Sequence, residues 1–136
     1  RKGGARMSKF SFRQGQRDNM DNDYPIIRLG DLYLIRAEGL ARAAGDWSLA
    51  LPDVNTIRAR AGLTTALGSI TAEEFLAERG REMFMEVTRR QDLIRFGKFN
   101  DAWWEKPASA AFRNVFPIPQ EQIDASGGTL TQNPGY

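Results

Sequence analysis

The chain has 136 residues, enough for one hydrophobic core, with 41% apolar and 26% charged residues and a formal net charge of +2. It contains no cysteine and no histidine, which excludes disulfides, thiolate metal sites and every mechanism that needs an imidazole. No apolar run approaches the roughly 20 residues of a membrane-spanning helix, and the basic start lacks the apolar stretch of a secretory signal.

Residues 1–23 carry a charge balance of +3 and the remaining residues −1. The body therefore has no basic stripe of the kind that tracks a phosphate backbone, and nucleic acid is not an expected partner. The first 23 residues are rich in Arg, Gly, Asn and Asp and read as an irregular, solvated lead-in, with Lys9-Phe10-Ser11-Phe12 as a short-strand candidate.

Pro25 holds Tyr24 in extended backbone and marks a start. The pattern that follows predicts a first helix over 28–44. Leu29, Leu32, Tyr33, Leu34, Ile35, Leu40 and several alanines make it apolar nearly all round, which predicts a central, buried helix. Ala37, Ala41 and Ala44 form a small-residue stripe that lets a second helix approach closely. Gly45 suits the left-handed position just past a helix end, and Asp46 suits the cap of the next helix. That second helix is expected over 47–61, with Leu51, Val54, Ile57 and Ala61 inward, Pro52 near its first turns and Gly62 ending it. Trp47 is expected in the core. Asn55, polar on an apolar face, predicts a satisfied structural hydrogen bond. Gly45-Asp46-Trp47-Ser48-Leu49-Ala50 is similar to the turn of a tetratricopeptide repeat, but no second copy follows at the required period of about 34 residues.

Thr71-Ala72-Glu73-Glu74 has the pattern of a capping box. It predicts a third helix reaching to about Val87, with Phe75, Leu76, Met83, Phe84 and Val87 buried. Residues 89–96 either continue that helix or form a short fourth one, closed by Gly97. The rest reads as loop: Trp103-Trp104, then Val115-Phe116-Pro117-Ile118-Pro119, a Gly-Gly turn, and Gln132-Asn133-Pro134-Gly135-Tyr136. The expected fold is mainly α, helical hairpins with an irregular, loop-rich C-terminal tail. It divides into a lead-in (1–23) and one helical domain (24–136).

Two groups of side chains invite a chemical reading. Glu78, Glu82 and Glu86 share one helix face at spacings of four. Glycosidase carboxylates must flank a bond from opposite sides of a cleft, which one helix face cannot do. Arg79, Arg81, Arg89, Arg90 and Arg95 lie close by in sequence. Carboxylate–guanidinium pairing that locks helices together is therefore the preferred account. The expected structural network comprises Arg28, Glu38, Arg58, Glu78, Arg79, Glu82, Glu86, Arg89, Asp92 and Arg95. The second group is Trp103 and Trp104. One reading is a sugar platform on a loop; the preferred one is that one or both rings cap the helix pair. Tyr24 and Tyr136 are expected to be packing residues. No residue is set up as an activated nucleophile, no phosphate loop is present, and no metal or cofactor is expected.

Four segments in order resemble the SusD/RagB family of outer-membrane nutrient-binding proteins of Bacteroidetes-type bacteria. The first is Tyr24-Pro25 followed by Arg28-Leu29-Gly30-Asp31-Leu32-Tyr33-Leu34-Ile35-Arg36-Ala37-Glu38. The second is Val54-Asn55-Thr56-Ile57-Arg58-Ala59-Arg60-Ala61-Gly62. The third is Glu78-Arg79 with Glu82, Glu86, Arg89 and Asp92-Leu93-Ile94-Arg95-Phe96-Gly97. The fourth is the closing pair Phe116-Pro117-Ile118-Pro119 and Gln132-Asn133-Pro134-Gly135-Tyr136. Arg90 and Gln91 depart from the family pattern, which has aromatic residues there.

The resemblance implies helix pairs of tetratricopeptide type with the tail packed on them. It implies that this is the C-terminal portion of a longer, lipid-anchored protein at the surface of the outer membrane. Such a protein is not an enzyme. It grips an oligosaccharide or other nutrient and passes it to a SusC-type TonB-dependent transporter, touching the membrane only through a lipid anchor absent from this chain. On that view this portion is mainly scaffold, with Trp103 and Trp104 as the candidate ligand contacts. Two alternatives are a stand-alone tetratricopeptide-like protein-interaction module and a glycosidase using Glu78, Glu82 and Glu86.

Overall fold

The computed structural model describes residues 9–10, 14–15 and 23–136. Most of the lead-in, including Ser11 and Phe12 of the strand candidate, lies outside the described residues. The chain packs as two compact units, Arg1–Arg89 and Arg90–Tyr136. The described elements are helical; no strand is present among them beyond a single isolated bridge.

In the first unit, α1 spans Leu29–Ala44 and leaves extended backbone at Arg28. It stops at Gly45, whose φ of 68° is the left-handed geometry that glycine tolerates. Asp46 then accepts a hydrogen bond from the Ser48 N–H at 2.9 Å. A 3-10 turn, Trp47–Ala50, leads into α2, Leu51–Arg60, with Pro52 in the first turn, where a missing N–H does least harm. The second helix expected over 47–61 is thus two pieces. Leu34, Ala37, Ala41, Ala50, Val54 and Ile57 are buried where α1 meets this turn and α2. Ala37 and Ala41 of the small-residue stripe sit in the contact; Ala44 is exposed.

The expectation of a helix buried all round is corrected. Leu29 is 67% exposed, and Leu32, Ile35 and Leu40 are about half exposed. Only one face of α1 meets a partner within the described residues, so the apolar content of the other face remains on the surface.

Asn55 behaves as its position predicts. Its Nδ2 donates to the Leu67 carbonyl at 3.0 Å and its Oδ1 accepts from the Leu67 N–H at 2.8 Å, which ties the α2–α3 connection to α2. The capping box is formed: Thr71 N–H donates to Glu74, and Glu74 N–H to Thr71. It opens α3, Ala72–Glu82, which buries Phe75 and Leu76 and sets Phe75 against the Trp47 ring at 5.2 Å.

The third helix ends five residues earlier than its apolar spacing suggests. Met85 and Val87 adopt left-handed φ of 64° and 61°. Val87 is 83% exposed and Phe84 42%, so of the three C-terminal residues expected inside only Met83 is buried. The cause is competition for backbone carbonyls. Arg28 and Lys9 donate to the Glu82 carbonyl, Lys9 to that of Phe84 and Tyr24 to that of Met85. A continuing helix would need those carbonyls for its own N–H groups.

In the second unit, α4 (Arg89–Arg95, its first residue closing the first unit) is a separate short helix ended at Gly97. Two elements replace expected loop: a 3-10 turn at Ala111–Asn114 and α5, Gln120–Ala125. The final residues fasten onto residues 115–119. Gln132 exchanges two bonds with the Ile118 backbone, both at 2.8 Å. Asn133 donates to the Phe116 carbonyl and Tyr136 to that of Val115. Side-chain amides act here as a strand neighbour would, against a segment in which Pro117 and Pro119 have no N–H to offer. Tyr136 also stands edge-on to Phe112 at 4.9 Å.

Candidate functional site

The ten residues expected in a charge network fall into several clusters. The densest lies at the end of α3. The Arg28 guanidinium donates to Glu86 at 2.6 Å, to the Glu82 carboxylate at 2.5 Å and to the Glu82 carbonyl at 2.6 Å. Lys9 completes the Glu86 side and Arg60 the Glu82 side. Glu86 and Glu82 are almost enclosed, with side-chain exposures of 3% and 9%. Burial pushes the Glu86 carboxyl up, but hydrogen bonds from Arg28 and Lys9 outweigh it and hold the group below its ordinary value. For Arg28, burial acts against the charge, and the bonds to Glu86 and Glu82 more than restore it.

Elsewhere in the first unit, Glu78 takes Arg58 at 3.1 Å and Arg81 at 2.5 Å. Buried Arg79 pairs with Asp31 at 2.8 Å, and Arg42 with buried Glu38 at 2.7 Å. Arg89 does not join a carboxylate through its described bond: it donates to the Leu76 carbonyl at 2.8 Å. Gly80 makes room for it, since a Cβ there would meet the guanidinium at 2.8 Å. In the second unit Arg95 pairs with Asp92, whose side chain is 1% exposed. Sequence reasoning did not single out Lys9, Asp31, Arg36, Arg42, Asp53 and Arg60 as partners. The Glu38/Arg42 spacing of four was a readable signal; the Arg36–Asp53 pair, at 2.9 and 2.6 Å across two helices, had none. Each of Glu78, Glu82 and Glu86 is held by two cationic side chains, a geometry of helix fastening.

The second candidate region is the turn carrying Trp103 and Trp104. Trp103 and Lys106 exchange backbone hydrogen bonds at 3.0 and 2.9 Å. Glu105 closes the turn with a left-handed φ of 59°. The Lys106 ammonium sits 4.0 Å from the Trp103 ring centre and donates to the carbonyls of Asp101 and Pro107. Trp103 is thus engaged with Lys106. Trp104, at the tip, is 86% exposed, so of the expectation that one or both rings cap the helix pair, the alternative with both is corrected. Nothing in the sequence pattern distinguishes these two indoles; the tight turn does. Lys106 and Glu105 were not singled out from sequence, although the neighbouring Pro107 is a turn signal.

No group of three or more acidic side chains is arranged to hold a metal ion among the described residues. No described helix is long and apolar enough to cross a membrane.

The model of the SusD family matches residues 2–114. Over 125 residues the chain is 37% identical to the starch-binding protein SusD of Bacteroides thetaiotaomicron, covering 85% of this chain and 22% of that protein. Two solved structures of surface glycan-binding protein A from Bacteroides thetaiotaomicron match with a TM-score of 0.70, at 36% and 35% identity; the first is a complex with laminarihexaose. Each match covers 85% of this chain and 26% of the other. The chain thus spans about a quarter of the length of these relatives.

Proposed function

The chain belongs to the SusD family, and on that premise we propose that it is part of a surface nutrient-binding protein that holds glycan chains for uptake. The relatives named above are described as starch-binding and glycan-binding, and the family match runs through the whole of α1 to α4. On this reading most of the chain is scaffold: α1, α2 and α3 are fixed to one another by buried charge pairs. The Trp103–Lys106 turn is the part that meets ligand. A partner transporter of SusC type, a lipid anchor beyond this chain and a place at the outer-membrane surface complete the reading, and family membership supports them.

The geometric observation that carries the proposal is Trp104, a large apolar side chain held in solvent by a hydrogen-bonded turn. The chemistry of binding needs no catalytic group. The three glutamates that a glycosidase reading would use are bound to Arg28, Arg58, Arg60, Arg81 and Lys9 instead. Calorimetric titration of the intact protein against a panel of neutral and acidic polysaccharides tests the reading. Saturable binding to at least one, without release of reducing sugar, is expected. Absence of binding across the panel, or turnover of a bound glycan, contradicts it.

A further inference from the structure

Trp103 and Trp104 are adjacent indoles with different surroundings. Trp103 has the Lys106 ammonium 4.0 Å from its ring centre, and that ammonium is fixed by two carbonyls. Trp104 makes no hydrogen bond and no ring contact among the described residues and is 86% exposed. Its backbone is nevertheless fixed by the paired bonds of the turn. With the backbone that carries it fixed before binding, only the side chain's own rotamer freedom is lost when a ligand settles on the ring, which favours an anchor. Tryptophan offers such an anchor a large, flat apolar area.

The surroundings also specify what lies on it. So exposed a ring has no opposing wall, so it does not enclose the end of a chain. It suits residues inside a polymer, each contributing one flat face. Pyranoses whose hydroxyls are all equatorial present axial C–H bonds to an indole from either face; an axial hydroxyl interrupts that surface on the face to which it points. Charge narrows the class further. Lys98 is paired with Asp101 at 3.7 Å, and Lys106 is engaged as described. Glu105, next to Trp104 and exposed, has no ion pair among the described residues. An uncompensated carboxylate beside the platform repels uronates and accepts hydrogen bonds from hydroxyls.

We infer that Trp104 is a stacking platform for internal residues of a neutral, equatorially hydroxylated pyranose polymer, with Glu105 discriminating against acidic glycans. This rests on the glycan-binding reading above. The test uses the intact protein with amylose and laminarin as neutral probes and polygalacturonate as the acidic one. Binding to a neutral probe should weaken about tenfold in Trp104→Ala, and less in Trp104→Phe, at an unchanged melting temperature. The same probe should shield parental tryptophan fluorescence from acrylamide, and the shielding should fall in Trp104→Ala. Glu105→Lys should gain affinity for polygalacturonate. A Trp104→Ala protein that binds the neutral probe as the parent does overturns this inference and leaves the general reading standing. Preference of the parent for polygalacturonate overturns it too. A parent that binds no probe, together with failure of the wider panel, removes both.

Discussion

Replacing Arg28 by Met removes one guanidinium that serves two nearly enclosed carboxylates and one carbonyl. The methionine keeps most of the apolar stem, so the change is chiefly one of charge and hydrogen bonding. Loss of one partner of a buried pair typically costs about 3–5 kcal/mol because it strands the other charge. Here neither carboxylate is wholly stranded: Glu82 keeps Arg60 at 2.8 Å and Glu86 keeps Lys9. A loss of about 2–3 kcal/mol is expected on that ground. The turn after α3 should loosen as well, since Arg28 holds the Glu82 carbonyl. The pH dependence follows from Glu86. Its carboxyl sits below the ordinary value of 4.5 when folded, so the stability it contributes is fully present above that value and is lost as pH falls through the folded pKa. Arg28→Met should raise that pKa and flatten the acid limb. Urea unfolding of the intact protein between pH 3 and 7, followed by circular dichroism, measures both. A change smaller than about 0.5 kcal/mol at pH 7 with an unaltered acid limb would refute the account of this cluster, since such values are typical of ordinary surface substitutions.

Three further outcomes are expected. Asn55→Ala leaves both polar groups of Leu67 without their partner and should cost about 1–3 kcal/mol, with faster hydrogen exchange at the Leu67 amide. Val87 is exposed and left-handed, so Val87→Gly should be neutral or stabilising by up to about 1 kcal/mol; thermal unfolding that shows clear destabilisation would contradict this. Gly135→Ala faces two obstacles, a φ of 95° and Phe112 carbons at 2.6–2.9 Å from the added Cβ. Limited proteolysis should then open the closing segment first, because its bonds to residues 115–118 depend on that geometry.

Local chemistry made much of the fold legible. Gly45, the Asp46 cap and the Thr71/Glu74 capping box lie where their local chemistry dictates, because each acts within a few residues of itself. Asn55 was legible as a structural polar group, though its partner Leu67 was not. What the sequence hid was long-range. The early end of α3 depends on Lys9, Tyr24 and Arg28 taking carbonyls more than fifty residues away. The one-sided burial of α1 depends on which faces find partners, and apolar content alone does not reveal that. The short α5 was concealed by its brevity: Gln120–Ala125 is too short for a helical period to show. At the candidate site the residue type pointed to Trp103 and Trp104 together. Only the backbone bonds of the turn and the position of Lys106 separate an engaged ring from an exposed one.

The most direct measurement is a crystal structure of the intact protein bound to a neutral oligosaccharide of the class it retains in titration. The account expects a pyranose ring lying flat on the Trp104 indole, in van der Waals contact, with the Trp103–Lys106 turn unchanged. A bound glycan that leaves Trp104 bare, or a turn that rearranges to bury that ring, would contradict it.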